Sequence, residues 1–430
     1  MTSETGRTHG GWYAGWNIVA VCILAQVASN GLSVNAFSLF LKSWSADLHT
    51  PISSLQLAPA AMGLVSSILA AFIGGWADKA PARRLFAIGL VALALFHIAV
   101  GFVTAPWQII ALYGTLVPIG VLLAGALTAN AVVSRWFVRR LGLALGLSAF
   151  GIGIAGVVLP PLVAALSPAI GWRMIWKLAG LIVGLGVLPL AVLVLRDRPT
   201  EKDGMHYLVG GDGRRHGHGI GGPSDVGWRE VFSRRNFWLL VAVYLPILAI
   251  YGGGAQNMAP IAASHGLNAK TAGLFLSALG FTHVIATLVL GLASDRFGNR
   301  VPFAALAVTA AAGALLLGFG QSFITMLLGA ILIGAGGGLF PLLAAGIAAE
   351  FGSDGFGRAF GLAMSFVPVI SLSPFAIAKS QEATGSYATA LVGLAALALI
   401  GGGLCLMLRE RRGHSAPDER ALALEEGSLL

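Results

Sequence analysis

The sequence predicts an all-α membrane protein whose twelve transmembrane helices form two pseudo-symmetric six-helix bundles. Three observations predict it: a composition too apolar for a water-soluble fold, a division into twelve apolar segments of bilayer length, and a charged motif repeated in the two halves. Of 430 residues, 57% are hydrophobic and only 10% charged, and 59 are glycine. The mean hydropathy is +0.83. A soluble domain of this size cannot bury so much apolar surface, which excludes an ordinary cytosolic enzyme. The net charge of +9 would suggest nucleic acid in a soluble protein. Here the basic residues fall between apolar stretches and read as topology signals, so no nucleic-acid partner is expected.

Cutting the chain at charge clusters and at Pro/Gly punctuation gives the segments 16–41, 52–76, 85–103, 107–134, 140–166, 172–195, 237–263, 271–293, 301–319, 322–349, 357–381 and 386–408. Each reaches the roughly 20 residues that a helix needs to cross a bilayer. The first lacks a small-residue cleavage site and is too long for a signal-peptide core, so it reads as a true helix. Between the sixth and seventh, Arg196 to Arg235 is polar and Gly-rich. It reads as a flexible linker at 197–235 between bundles at 12–196 and 236–409, with tails at 1–11 and 410–430. His216 and His218 in that linker lack the Cys or carboxylate spacing of a metal site, and no metal or cofactor is expected. Cys22 and Cys405 lie in apolar segments and read as buried packing.

If the N-terminus is cytoplasmic, only Lys42, Arg173, Lys177, Lys270 and Lys379 of the 27 basic residues fall toward the outer side. That asymmetry predicts both termini in the cytoplasm of a multi-pass cell (inner) membrane protein.

The repeat follows the second and eighth segments. Gly74 stands four residues before Asp78, with Lys79 next and Arg83 and Arg84 beyond; Gly291 stands four before Asp295, with Arg296 next and Arg300 beyond. The two aspartates are 217 positions apart, in register with the six-plus-six division. The charge rule alone asks for no aspartate. The glycines permit close helix approach, and a carboxylate is favoured at a helix N-terminus.

This arrangement resembles the major facilitator superfamily, over about residues 12–409; Ala80-Pro81 stands where a Gly usually follows the Asp-cation pair. The resemblance implies two rocking bundles and a central solute site. It also implies conformational gating by Gly74, Asp78, Arg83, Arg84, Gly291, Asp295, Arg296 and Arg300. By the same analogy Asp78 meets the start of the eleventh helix near Gly355 to Gly357, and Asp295 the start of the fifth near Arg139 and Arg140.

A narrower resemblance starts the fifth helix. The run from Trp136 to Gly151, with Arg139-Arg140 followed by Leu143-Ala144-Leu145-Gly146, resembles the monocarboxylate transporter signature and the same region of oxalate/formate antiporters. Trp12 to Trp16 resembles that family's Gly/Trp-rich entry without its acidic residue. In the eighth helix the family pattern has an Asp four residues before an Arg, whereas this chain has His283 and Thr287. Asn35 stands near where many members carry a Lys. Recognition therefore falls to neutral donors, or the solute is larger or less charged.

Polar groups at membrane depth need partners or water and so mark candidate paths. All eighteen acidic residues lie in loops, tails or near helix ends, which leaves no mid-membrane carboxylate as proton carrier. His283 is central in its segment and is the proton-coupling candidate, against a structural role. His97 reads as packing, Lys177 as snorkelling or anion-attracting, and Lys379 with Glu382 as a local pair. Asn35, Tyr251, Gln256, Asn257, His283, Phe340 and Ser371 are the substrate-binding candidates, with interhelical hydrogen bonding as the alternative for the amides. Gly252 to Gly254 and Gly336 to Gly338 read either as bends beside the site or as packing faces.

The expected function is secondary active transport of a small organic acid anion by alternating access, through proton symport or anion exchange, with a monomer as the functional unit. Efflux of amphipathic drugs or metabolites, and a transport-dead membrane sensor, are the rival readings. No nucleophile–base constellation or phosphate-binding loop suggests an enzyme.

Overall fold

A computed structural model describes residues 13–77, 80–137, 141–197 and 228–408; side chains at 71–77, 127, 134, 141–143, 295 and 352–357 are not described. The described residues are helical, with no strand among them. Eleven stretches are long and apolar enough to cross a membrane. One of these, Ala144–Val194, has 51 residues. Straight, it would measure about 75 Å, more than twice the hydrocarbon core. It is folded back at Gly171, whose φ of 71° and ψ of 160° break the helix, a conformation open to glycine at little cost. It therefore supplies the fifth and sixth spans, which makes twelve among the described residues.

The other spans follow the predicted order, with local departures. The first runs through Gly15–Asn30 and then widens into a single π turn at Gly31–Asn35 before continuing as Phe37–Asp47. Pro106–Ala124 and Ala126–Trp136 together make the fourth. The tenth tightens into a 3-10 turn at Ala335–Gly338, where three glycines stand together. The seventh, Arg235–Ser264, is unbroken across its own three glycines. There a Cβ on Gly253 would press on Ile377 and one on Gly254 on Ile333, so these glycines are a packing face, and only the tenth-span triplet departs from α-helix. The linker is not wholly irregular either: Trp228–Ser233 is helical, and Arg234 pairs with Glu230 at 2.9 Å. His216 and His218 lie outside the described residues.

Burial divides along the chain. One apolar cluster gathers Phe237, Tyr244, Phe275, Ile333 and Leu343 and draws its buried members only from residues 231–408. Two others belong to the first half, one around Tyr13, Trp136 and Phe137, the other around Phe37, Phe40, Trp44 and Trp176. His97 is enclosed in the aromatic one: its Nδ1 is 2.6 Å from the Leu93 carbonyl and its ring lies beside Trp176. Cys22 and Cys405 are buried and unbridged. Large apolar side chains such as Leu185, Leu193 and Leu292 are more than 70% exposed, as expected of a surface covered by lipid rather than water.

The halves are joined at the face opposite the chain termini. Ser53 donates its backbone N–H to Glu382 Oε1 at 3.2 Å, and Lys379 holds the other oxygen at 3.1 Å. The Gln56 amide Nε2 donates to the Gln256 carbonyl at 2.9 Å and to Asn257 Oδ1 at 3.0 Å. Deeper, Ser277 donates to the Val157 carbonyl at 2.7 Å. Here the fifth and eighth spans cross so closely that a Cβ on Gly280 would stand 2.8 Å from the Gly156 backbone.

Candidate functional site

Where the two halves meet at mid-chain depth they enclose a cavity of about 90 Å³. Asn35 reaches it from the end of the π turn, because the wider turn resets the face of the helix beyond Gly31. Gly153 and Gly156 line it from the fifth span, Tyr251 and Gln256 from the seventh, Gly280 and His283 from the eighth. The glycines admit the neighbouring helix so closely that the polar groups are drawn to one small space.

Tyr251 Oη and His283 Nδ1 are 2.8 Å apart and share one hydrogen. Their surroundings explain the glycines of the tenth span. A Cβ on Gly336 would press on the Tyr251 Cβ at 2.9 Å and its ring at 3.2 Å, and one on Gly337 would overlap the imidazole. The bare backbone of the 3-10 turn thus packs against the pair from behind. Thr287 ties the two helices, donating to the His283 carbonyl at 2.8 Å and reaching the Gly337 carbonyl at 3.3 Å. The imidazole is held at one nitrogen by a phenol and backed by peptide.

Four of the seven sequence-predicted binding residues are brought together: Asn35, Tyr251, Gln256 and His283. The other three are placed elsewhere. Asn257 is fully buried; its Nδ2 donates to the carbonyls of Gly253 and Pro374, at 2.9 and 3.1 Å, while its Oδ1 accepts from Gln56. Neighbouring residues on a helix point about 100° apart, which separates it from Gln256. Phe340 is 40% exposed, and Ser371 donates to the Val367 carbonyl at 3.1 Å. Gln26, in the first span, donates to Ser148 Oγ at 3.1 Å and is a tie between helices.

Of the gating candidates, Asp78, Arg139 and Arg140 lie outside the described residues, as does the side chain of Asp295. Gly74 is in the last turns of the second span, Leu57–Ala77. Arg83 and Arg84 are exposed at the start of Ala82–Val100, Arg296 lies 5.5 Å from the Phe297 ring centroid, and Arg300 opens the ninth span half-buried. A Cβ on Gly291 would meet nothing within 4 Å. Close approach therefore belongs to Gly156 and Gly280 in this conformation, since the halves are tied at the other face. Sequence reasoning also missed Asp197, whose Oδ1 accepts from the Ala82 N–H at the start of the third span and lies 3.9 Å from Arg135. Gln56 was missed too. It is an uncharged side chain immediately before the helix Leu57–Ala77, and nothing local marks a partner 200 positions away.

On the outer-side candidates, Arg173 is paired with Asp47 at 2.6 Å and Lys177 lies 3.9 Å over the Phe102 ring. The Asp47 carboxyl is held below the usual carboxylate range by hydrogen bonds from Trp172 and then Arg173.

Twelve apolar spans among the described residues, tied across a seam with a small polar cavity in it, are the architecture of a polytopic helical membrane protein. The Major Facilitator Superfamily model matches residues 23–261 and 253–426, and the chain belongs to that family. It is 24% identical over 317 residues to monocarboxylate transporter 12 of Xenopus laevis, covering 69% of this chain and 66% of that protein. It is 26% identical over 219 residues to the riboflavin transporter RibJ of Trypanosoma brucei brucei, covering 48% and 38%. The matches thus span less than two thirds of either relative. Among solved structures, a bacterial homologue of the human lysosomal transporter Spinster, inward-facing and unoccupied, superposes with a TM-score of 0.68 at 15% identity, covering 93% of this chain and 97% of that one. That likeness shows the fold.

Proposed function

We propose that the protein carries a small organic acid anion of the monocarboxylate kind across the cell (inner) membrane, with both termini cytoplasmic. Bundles at 12–196 and 236–409 rock about the cavity, and the gating motifs at Asp78 and Asp295 close the terminus-bearing face. The reading rests most on the cavity itself: about 90 Å³, against roughly 300–1,000 Å³ for drug-sized sites. A solute of a few heavy atoms fits such a space.

His283 is the one titratable imidazole in the lining, and among the described lining residues there is no Lys or Arg. An anion binding there is balanced by a proton on His283, so the solute and the proton move together; exchange of one protonated complex for another needs no gradient. The test is counterflow into proteoliposomes across a panel of organic acids, followed by uptake under an imposed pH gradient. His283→Gln is expected to abolish gradient-driven accumulation and spare exchange. Accumulation preserved in that variant removes His283 from the coupling.

The lack of a cation in the lining favours one rival, export of neutral or amphipathic molecules. Counterflow of such compounds, with none of any acid, would establish it.

A further inference from the structure

One group in the cavity is not used by this proton-and-anion scheme. Gln256 is 9% exposed, and its carbonyl oxygen Oε1 is buried with no hydrogen-bond partner among the described residues. The orientation of the amide is fixed. Nε2 lies 3.4 Å from the Val34 carbonyl, which can only accept, so the nitrogen must face it and the oxygen must face away. The backbone is fixed as well, because the Gln256 carbonyl accepts from Gln56. Both ties come from the other half of the molecule, and they hold an amide with a bare acceptor at the seam. The residue next to Val34 supplies the complement: Asn35 Nδ2 is buried and likewise unpartnered. A donor and an acceptor, both orphaned, thus belong to two residues that line one cavity of about 90 Å³.

A buried acceptor left unpaired is costly, and a site with one discriminates against ligands that cannot satisfy it. We infer that Gln256 makes the carrier selective for solutes bearing a hydroxyl or other donor beside their carboxylate or carbonyl acceptor, over the corresponding oxo compounds. The hydroxyl donates to Gln256 Oε1 while an acceptor oxygen of the same solute takes the Asn35 N–H. An oxo group at that position sets one lone pair against another and leaves Gln256 unpaired. The inference rests on the proposed solute site and adds a rule for what that site accepts.

The experiment measures binding to the purified full-length protein by calorimetry for matched pairs: lactate and pyruvate, 2-hydroxybutyrate and 2-oxobutyrate, and the uncharged lactamide and pyruvamide. The hydroxyl member is expected to bind about tenfold or more tightly, the cost of one stranded acceptor. Gln256→Met, which keeps length and loses the acceptor, is expected to erase that ratio. Equal affinities within the pairs, or a preference that survives in Gln256→Met, overturn the inference, and the wild-type ratio decides even if the variant does not fold. Lactamide favoured over pyruvamide, with no acid bound, would refute the acid reading and leave the donor rule standing. Binding of none of the six would refute both.

Discussion

Gln56 carries the most direct prediction about how the halves separate. Its Nε2 makes two bonds across the seam, to the Gln256 carbonyl at 2.9 Å and to Asn257 Oδ1 at 3.0 Å, and the side chain is fully buried. A neutral hydrogen bond contributes about 0.5–1.5 kcal/mol net. Gln56→Ala removes both bonds and leaves two acceptors without that donor, so the joined state loses about 1–3 kcal/mol. On the proposed alternating-access reading, the carrier passes between a state closed at this face and one open there. The variant shifts that equilibrium toward the open state by a factor of about 5 to 150. Spin labels at Ala46 and Ala383, both exposed on this face in different halves, report the change by pulsed dipolar spectroscopy. The long-distance population is expected to rise in Gln56→Ala and to fall back in Gln56→Asn only if the shorter amide still reaches across. A distance distribution identical to that of the unsubstituted protein would refute the argument, because it would mean that these bonds are absent or equally available when the face is open.

Three further outcomes follow from particular contacts. Gly337→Ala places a methyl on the His283 ring; such overpacking costs about 1–3 kcal/mol, and transport is expected to drop at least about tenfold while the protein remains monodisperse on gel filtration. Asp47 has a depressed pKa in the folded protein, so its contribution is present above the unfolded value near 4 and is lost as pH falls through the lower folded value. The Tm difference between wild type and Asp47→Asn should accordingly shrink in acid; with the carboxyl side chain 42% exposed the effect is at most about 0.5 kcal/mol after screening. Asp78→Asn is expected to lower counterflow with expression and membrane insertion unchanged, and unaltered counterflow would remove that carboxylate from gating.

The comparison of sequence and structure turns on a few elements. The fifth and sixth spans were legible as two because Pro168 and Gly171 punctuate the apolar run, and the chain does reverse at Gly171. The two glycine triplets look alike on paper, yet one tightens into a 3-10 turn and the other stays α-helical. Both are packing faces, the tenth-span triplet against Tyr251, His283 and Leu290, and Gly253 and Gly254 against Ile377 and Ile333. Asn257 and Gln256 were indistinguishable as adjacent amides. Both are tied to the other half, Asn257 through Gln56 and Gln256 through Gln56 and Val34; only the fold shows that Gln256 lines the cavity while Asn257 is held by Gly253 and Pro374 away from it.

The sequence by itself determined the solvent of this protein, the number of its spans and its membership of a two-halved family. Those properties follow from summed apolarity, charge placement and a repeated motif, each carried along the chain. The tertiary structure alone decided which polar side chains share a space. Residues in the first, seventh and eighth spans meet only after glycines let the helices approach, and approach distance is a property of the packed pair that neither strand of sequence contains.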